Sequence, residues 1–238
     1  MHFVGTAFRR LSVFLVLIGC WLGVGPLLAE TPQQHLSAII RDTQKQGNRA
    51  GRMTLVWWMP TEFWRTAAVA NGTLTAAQID EMTNAVRDII VFAIIDGKVG
   101  GLGQATFVQS EELRKNLALL DSDGRPISLL PEDKQPIATK NLLAMMKPVL
   151  TNMLGEFGKN VTFFVFEGKN AKGAQRVDPL KPGGLTVKLN SEEYRWRLPL
   201  GSLLPPKTCP KCNETFPGNY AFCPFDATPL KEQAAENK

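Results

Sequence analysis

Three cysteines and one aspartate near the C-terminus have the types and spacing of a metal site. Cys209-Pro-Lys-Cys212 is followed, after ten residues, by Cys223-Pro-Phe-Asp226. A Cys-x-x-Cys turn presents two thiolates from one loop, and zinc binds four such donors in a tetrahedron. The carboxylate of Asp226 can serve as the fourth ligand, although it is a harder donor than a thiolate. The pattern therefore predicts a small metal centre.

The segment from Cys209 to Leu230 resembles a zinc ribbon, a family whose pattern is Cys-Pro-x-Cys-Gly repeated twice. Asn213 follows the first turn where glycine is usual, and Asn tolerates the same left-handed backbone. Asp226 replaces the fourth cysteine, and Phe222 to Leu230 resembles a recurring variant of the second turn. The resemblance implies a structural zinc ion bound by Cys209, Cys212, Cys223 and Asp226, with a miniature core of Phe216, Tyr220, Phe222 and Phe225. It covers none of the preceding domain.

Two other interpretations of this segment stay open. It can be a metal-free remnant of a ribbon, or Cys209 and Cys212 can form a thiol-redox pair. An odd number of cysteines downstream of the N-terminal segment favours a metal site over a disulfide framework. A thioredoxin-like site would need the Cys-x-x-Cys to open a helix after a strand, whereas residues 213–219 (NETFPGN) are turn-like.

The histidine content limits the catalytic chemistry of the rest of the chain. Only His2 and His35 are present, which disfavours Ser-His-Asp or Cys-His catalysis and excludes a three-histidine zinc site. Carboxylate-pair hydrolysis stays open as an alternative function. The acidic residues available for it are Glu62, Asp80, Glu81, Asp96, Glu111 and Glu112, although surface exposure is the default for such residues.

Three further patterns favour structural over functional interpretations. The glycine-rich stretch 97–103 lacks the spacing of a phosphate loop or dinucleotide turn, so we expect a strand connection. Asp121-Ser-Asp-Gly124 lacks the closing Glu of a calcium loop, because position 130 is Leu, and favours a hairpin turn. The aromatic cluster of Trp57, Trp58, Phe63 and Trp64 favours core packing over a ligand groove.

The N-terminal segment is typical of export or membrane attachment. Arg9 and Arg10 precede an apolar run, residues 11–28, and the next basic residue is Arg41. This charge bias predicts that the rest of the chain lies outside the cytoplasm: periplasmic, secreted or anchored facing outward. Three versions stay open: signal cleavage near Ala29, an uncleaved membrane anchor, or a lipoprotein lipidated at Cys20.

The remaining elements predict an α+β fold, with a mainly antiparallel sheet covered by helices on one face. Val161 to Phe166 is expected as its central strand, and residues 185–198 alternate as a hairpin. The long helix, residues 136–157, should bury a stripe that includes Leu150 and Met153. At Pro148 it should either kink or divide into two abutting helices. The predicted organisation is a signal or anchor at 1–29, a polar linker or surface helix at 30–52, a core domain at 53–204 and a ribbon-like tail at 205–238.

The functional prediction is an exported or membrane-tethered, non-catalytic protein of binding or assembly. A net charge of +5 without any cluster of basic residues does not favour nucleic acid. The expected partners are another protein or an envelope component. The membrane itself is a partner if the N-terminal segment is kept or lipidated.

Overall fold

The computed structural model describes residues 31–47, 49–101 and 104–232. The predicted signal or anchor, and the lipidation site at Cys20, lie outside these residues. Among the described helices, none combines the length and the apolar content needed to cross a membrane.

The described residues form six α-helices and twelve β-strands. The helices are α1 (Pro32–Thr43), α2 (Thr61–Asn71), α3 (Ala76–Asn84), α4 (Ser110–Lys115), α5 (Ile137–Leu154) and α6 (Glu156–Lys159). The strands are β1 (Gln44–Gln46), β2 (Arg52–Trp58), β3 (Ile89–Val99), β4 (Ala105–Phe107), β5 (Leu117–Asp121), β6 (Pro126–Ile127), β7 (Thr162–Glu167), β8 (Gly183–Leu189), β9 (Glu192–Leu198), β10 (Lys207–Thr208), β11 (Thr215–Phe216) and β12 (Lys231–Glu232).

Two antiparallel sheets build the core domain. The first has the order β1-β2-β3, and both β4 and β7 pair with the far side of the long strand β3. The second has the order β6-β5-β8-β9. Their facing sides share one buried cluster, in which the rings of Phe92 and Trp196 lie 5.5 Å apart.

Helices α1, α2, α3 and α5 cover the other side of the first sheet, whereas Leu113 of α4 packs between the two sheets. Strand side chains alternate between faces, so Trp58 enters the cluster between the sheets while Trp57 packs in the helix layer with Ile39 and Phe63. This confirms the predicted mixture of helices and antiparallel strands, and the burial of the aromatic residues. The second sheet on the opposite face is a difference from the single sheet expected.

The strand β7 is buried but not central. Phe164, Val165 and Phe166 are each 1% exposed, as predicted for Val161 to Phe166. The centre of the sheet is β3, which pairs with β2 on one side and with β4 and β7 on the other. The outer side of β7 meets a single bridge between Leu129 and Phe166.

The segment predicted as a polar linker or a surface helix, residues 30–52, contains the helix α1 and the strand β1. Thr31 and Gln34 form a capping box at the start of α1. Ile39 is fully buried. The Thr43 hydroxyl accepts a hydrogen bond from the Trp57 indole, and the Thr43 carbonyl accepts one from the Trp196 indole. Since these tryptophans belong to different sheets, the segment is part of the core.

The other local predictions have mixed outcomes. Residues 121–124 form the turn between β5 and β6, and residues 183–198 form the hairpin β8–β9. The helix α5 continues through Pro148, so it does not divide into two abutting helices there. In its predicted stripe, Leu150 is fully buried, but Met153 is 62% exposed.

The tail folds back onto the core domain instead of extending from Pro205-Pro206. The Gly218 N–H donates to the Gly201 carbonyl at 3.2 Å, and the Asn219 amide donates to the Pro199 carbonyl. A Cβ atom at Gly218 would clash with the side chain of Leu204, the last residue of the core domain, and with the carbonyl oxygen of Pro205. Glycine at this position therefore permits the close backbone approach that docks the tail.

Candidate metal centre

Two turns of the same backbone pattern present the predicted ligands. In the first, the Cys209 carbonyl accepts from the Asn213 N–H, and the Cys209 N–H donates to Glu214. In the second turn, the Cys223 carbonyl accepts a hydrogen bond from the Ala227 N–H, and the Cys223 N–H donates one to the Thr228 carbonyl. Asn213 and Ala227 have φ angles of 59° and 57°. The left-handed Asn213 was expected, whereas alanine carries no sequence signal for this conformation.

The two turns bring all four predicted ligands together. The sulfurs of Cys209, Cys212 and Cys223 and an oxygen of Asp226 lie within 4.8 Å of one another. The Cys212 and Cys223 sulfurs are 3.7 Å apart, and the Cys209 sulfur is 3.7 and 3.8 Å from the two Asp226 oxygens. A tetrahedral zinc ion with ordinary bond lengths needs sulfur–sulfur separations of about 3.8 Å and sulfur–oxygen separations of about 3.6 Å.

The electrostatics of the cluster favour an ionised carboxylate. The Thr228 N–H donates to Asp226 Oδ1 at 2.9 Å. This bond, together with contacts from Cys223 and Lys211, outweighs the effect of burial and lowers the pKa of Asp226 to about 2. Burial raises the pKa of the Cys223 thiol to about 11. Burial also acts to raise the pKa of Cys209, but hydrogen bonds from the Cys212 and Lys211 N–H groups outweigh it and lower that pKa. A cation bound at the cluster would compensate the buried thiolates.

The aromatic residues of the tail are more exposed than predicted. The buried cluster of the tail consists of Cys209, Phe216, Cys223 and Leu230. Tyr220 stacks on Phe216 with ring centroids 6.1 Å apart, but Phe222 and Phe225 are 59% and 76% exposed. The miniature core therefore rests on Phe216 and Leu230, of which only Phe216 was predicted. An apolar core this small is typical of segments that a metal ion, a disulfide or a neighbouring domain stabilises.

The backbone around Cys209 and Cys212 does not match a thioredoxin-like site. These residues lie in the turn between β10 and β11, and among the described residues no helix starts at them. All three cysteines of the described tail are free of disulfide bonds.

The predicted carboxylates of the core domain are dispersed. Asp96 is buried and bonds Arg52 and Thr54, and Asp80 pairs with Arg65 at the surface. Both therefore have structural partners.

Glu62 lines an open cleft together with Asp178, a residue that the sequence had not suggested. The cleft, of about 310 Å³, lies between the start of α2 and residues 175–180. Glu62 Oε2 is buried without a hydrogen-bond partner among the described residues. Burial raises the pKa of Glu62. Burial also acts to raise the pKa of Asp178, but hydrogen bonds from the Lys181 side chain and the Leu180 N–H outweigh it, so that pKa is lowered.

Comparisons with known proteins leave the cluster as the main functional observation. No protein-family model matches the chain, and no curated protein or solved structure matches it either. The convergence of three cysteines and one aspartate is compatible with a metal site.

Proposed function

We propose that the chain is an exported or membrane-tethered binding or assembly protein whose tail is organised by a structural zinc ion. The observation that carries the proposal is the convergence of Cys209, Cys212, Cys223 and Asp226 within 4.8 Å. The docking of this tail onto the core domain through Gly201 and Gly218 supports a structural role. A binding partner would be another protein or an envelope component.

The donor set favours zinc over calcium or magnesium. Three thiolates and one carboxylate match the soft to borderline ligands that zinc accepts, whereas calcium and magnesium require oxygen donors. Four protein ligands close the coordination sphere, which is typical of structural rather than catalytic zinc. The metal would therefore stabilise the two turns without taking part in a reaction.

Elemental analysis of the purified, reduced full chain tests the proposal. We expect about one zinc per chain, because four protein ligands satisfy the usual coordination number. Chelation should remove the metal together with the ordered structure of the tail. A zinc content below about a tenth of an equivalent, after refolding with excess zinc, would contradict the proposal.

A hydrolase using core carboxylates is a second candidate, supported by the cleft that Glu62 and Asp178 share. The raised pKa of Glu62 suits a general acid, and the lowered pKa of Asp178 suits a general base. Asp178 would take a proton from the attacking water while Glu62 donates one to the leaving group. Glu62→Gln and Asp178→Asn should each abolish hydrolysis of chromogenic glycosides or esters, and Asp80→Asn should not. Lack of any activity in the unmodified protein would contradict this candidate.

A further inference from the structure

The three cysteines of the tail differ in their access to solvent. Cys209 and Cys223 are 0% and 2% exposed, whereas Cys212 is an exposed residue. A cysteine that binds zinc is a thiolate, and an oxidant in solution reacts first with the thiolate that it can reach. Cys212 is therefore the cysteine at which oxidation of the cluster would begin.

Cys223 is placed to react with an oxidised Cys212. Their sulfurs are 3.7 Å apart, so an approach of about 1.7 Å brings them to the length of a disulfide bond. The Cys209 sulfur has other contacts: it accepts a hydrogen bond from the Lys211 N–H at 3.4 Å and lies 3.7 and 3.8 Å from the Asp226 oxygens. These contacts favour a disulfide between the two turns over one within the first turn.

We propose that a peroxide converts Cys212 and Cys223 into a disulfide, and that this bond then replaces the metal as the link between the two turns. The inference rests on the proposed function, in which the tail binds zinc outside the cytoplasm, where disulfides form and persist. The pair differs from the Cys209–Cys212 pair of a thioredoxin-like site, and its role is structural.

The oxidation is balanced in two steps. The Cys212 thiolate attacks one oxygen of hydrogen peroxide: an S–O bond forms, the O–O bond breaks, and the hydroxide that leaves takes up a proton to become water. The Cys223 thiolate then attacks the Cys212 sulfur: the S–S bond forms, the S–O bond breaks, and the second hydroxide also leaves as water. The two sulfurs together lose two electrons, and the peroxide gains them.

The aspartate in the ligand set decides what this oxidation leaves behind. Once Cys212 and Cys223 are joined, only the Cys209 thiolate and the Asp226 carboxylate remain as donors, and a structural zinc ion requires four. Among the described residues, Cys209 then has no other free thiol with which to pair. Oxidation of this tail should therefore give one disulfide, one free thiol and the release of the metal.

The proposed disulfide closes the loop that docks the tail on the core domain. Gly218 and Asn219 lie between Cys212 and Cys223 in the chain, and both form hydrogen bonds with the core domain. A disulfide restricts the unfolded chain within the loop that it closes, so this loop should stay docked without the metal. A disulfide from Cys209 to Cys212 would close only the first turn and would leave the docking loop unrestricted.

Peptide mapping of the full chain identifies the pair. Purified, reduced, zinc-loaded protein is treated with hydrogen peroxide, its remaining thiols are alkylated with iodoacetamide, and the chain is cut with trypsin. Trypsin cuts after Lys211, so it separates Cys209 from the peptide 212–231, which holds both Cys212 and Cys223. We expect this peptide to be unalkylated and two hydrogen atoms lighter, and Cys209 to be alkylated. A chromogenic chelator should detect zinc release in proportion to the disulfide.

Two cysteine variants separate the effect of the disulfide from that of the metal. Cys209→Ser lacks one metal ligand but keeps the proposed pair. A protease should therefore cut its tail rapidly when the protein is reduced, and at least about tenfold more slowly after oxidation. Cys223→Ser, the matched control, lacks both the metal site and the proposed pair, so oxidation should not slow the cleavage of its tail.

Each other outcome contradicts a defined part of the inference. A disulfide between Cys209 and Cys212, or none after zinc-loaded protein has reacted with peroxide, would overturn the proposed pair while leaving the zinc site intact. Rapid cleavage of the oxidised Cys209→Ser tail would overturn the replacement of the metal by the disulfide. Reduced protein that holds no zinc would contradict the proposed function, and the replacement with it, before any peroxide is added.

Discussion

At position 226, an aspartate stands where the ribbon pattern has a cysteine, and the affinity for the proposed zinc ion should depend on it. Asp226→Cys should tighten zinc binding, because it completes four thiolates. Asp226→Asn should weaken zinc binding by more than about tenfold, because mutating even an outer-shell partner of a ligand lowers metal affinity by about that factor. The Asn side chain can still accept the Thr228 N–H bond. Competition with a chromogenic chelator measures both affinities.

Glu214 provides the control for this comparison. Its carbonyl closes the first turn, but its side chain is outside the four-residue cluster, so Glu214→Ala should leave the zinc affinity unchanged. Equal affinities for the unmodified protein and Asp226→Asn would remove Asp226 from the ligand set. Metal occupancy should also fall in acid, because the ligand thiols must lose their protons to bind.

The Phe164 side chain tests the packing between the two sheets. It is 1% exposed within the shared cluster. Phe164→Ala should lower the free energy of unfolding by about 3–5 kcal/mol, because it removes buried contacts and leaves a cavity. Chemical denaturation followed by circular dichroism measures the change. Ile137→Ala, at a position that is 73% exposed, should change it by less than about 0.5 kcal/mol.

Among the elements, the tail depends on a close approach at Gly218. Gly218→Ala should loosen the docking of the tail, because the added methyl group would meet the Pro205 carbonyl and the Leu204 side chain. Limited proteolysis should then cut residues 205–217 faster than in the unmodified protein. Gly101→Ala is the control, since a Cβ atom there meets nothing within 4 Å. Equal cleavage rates for the two variants would contradict this account.

The metal should stabilise the tail and not the core domain. Cys212→Ser removes one thiolate, so the tail should lose its ordered structure. The core should keep its thermal transition, because its two clusters contain no described residue of the tail. Circular dichroism measures the thermal transition of the core. Limited proteolysis measures the loss of tail structure, because it should leave a resistant fragment that ends near Leu204. Loss of the core transition would mean that the tail and the core unfold as one unit.

For the whole molecule, the location in the cell is the prediction with the widest consequences. The basic residues before the apolar run 11–28 predict export. Protease added to intact cells, with any outer envelope opened, should degrade the core domain while a cytoplasmic marker survives. Full protection of the core would contradict export. N-terminal sequencing then distinguishes cleavage after Ala29, lipidation at Cys20 and an intact anchor.

The sequence alone was sufficient for features that depend on local chemistry. The four candidate ligands followed from the spacing of Cys209, Cys212, Cys223 and Asp226, because each short turn places its own pair of donors. The hairpin at residues 183–198 followed from its alternation, since a strand with one buried face repeats every two residues.

Only the tertiary structure decided the features that join distant segments. The hydrogen bonds from Trp57 and Trp196 to Thr43 make residues 32–46 part of the core, although their polar composition favoured a linker. The second sheet, and the docking of Gly218 on Gly201, depend on contacts between segments far apart in the chain. The exposure of Met153 on α5 was missed for a related reason: helical periodicity identifies an apolar side chain, but not whether another element covers it.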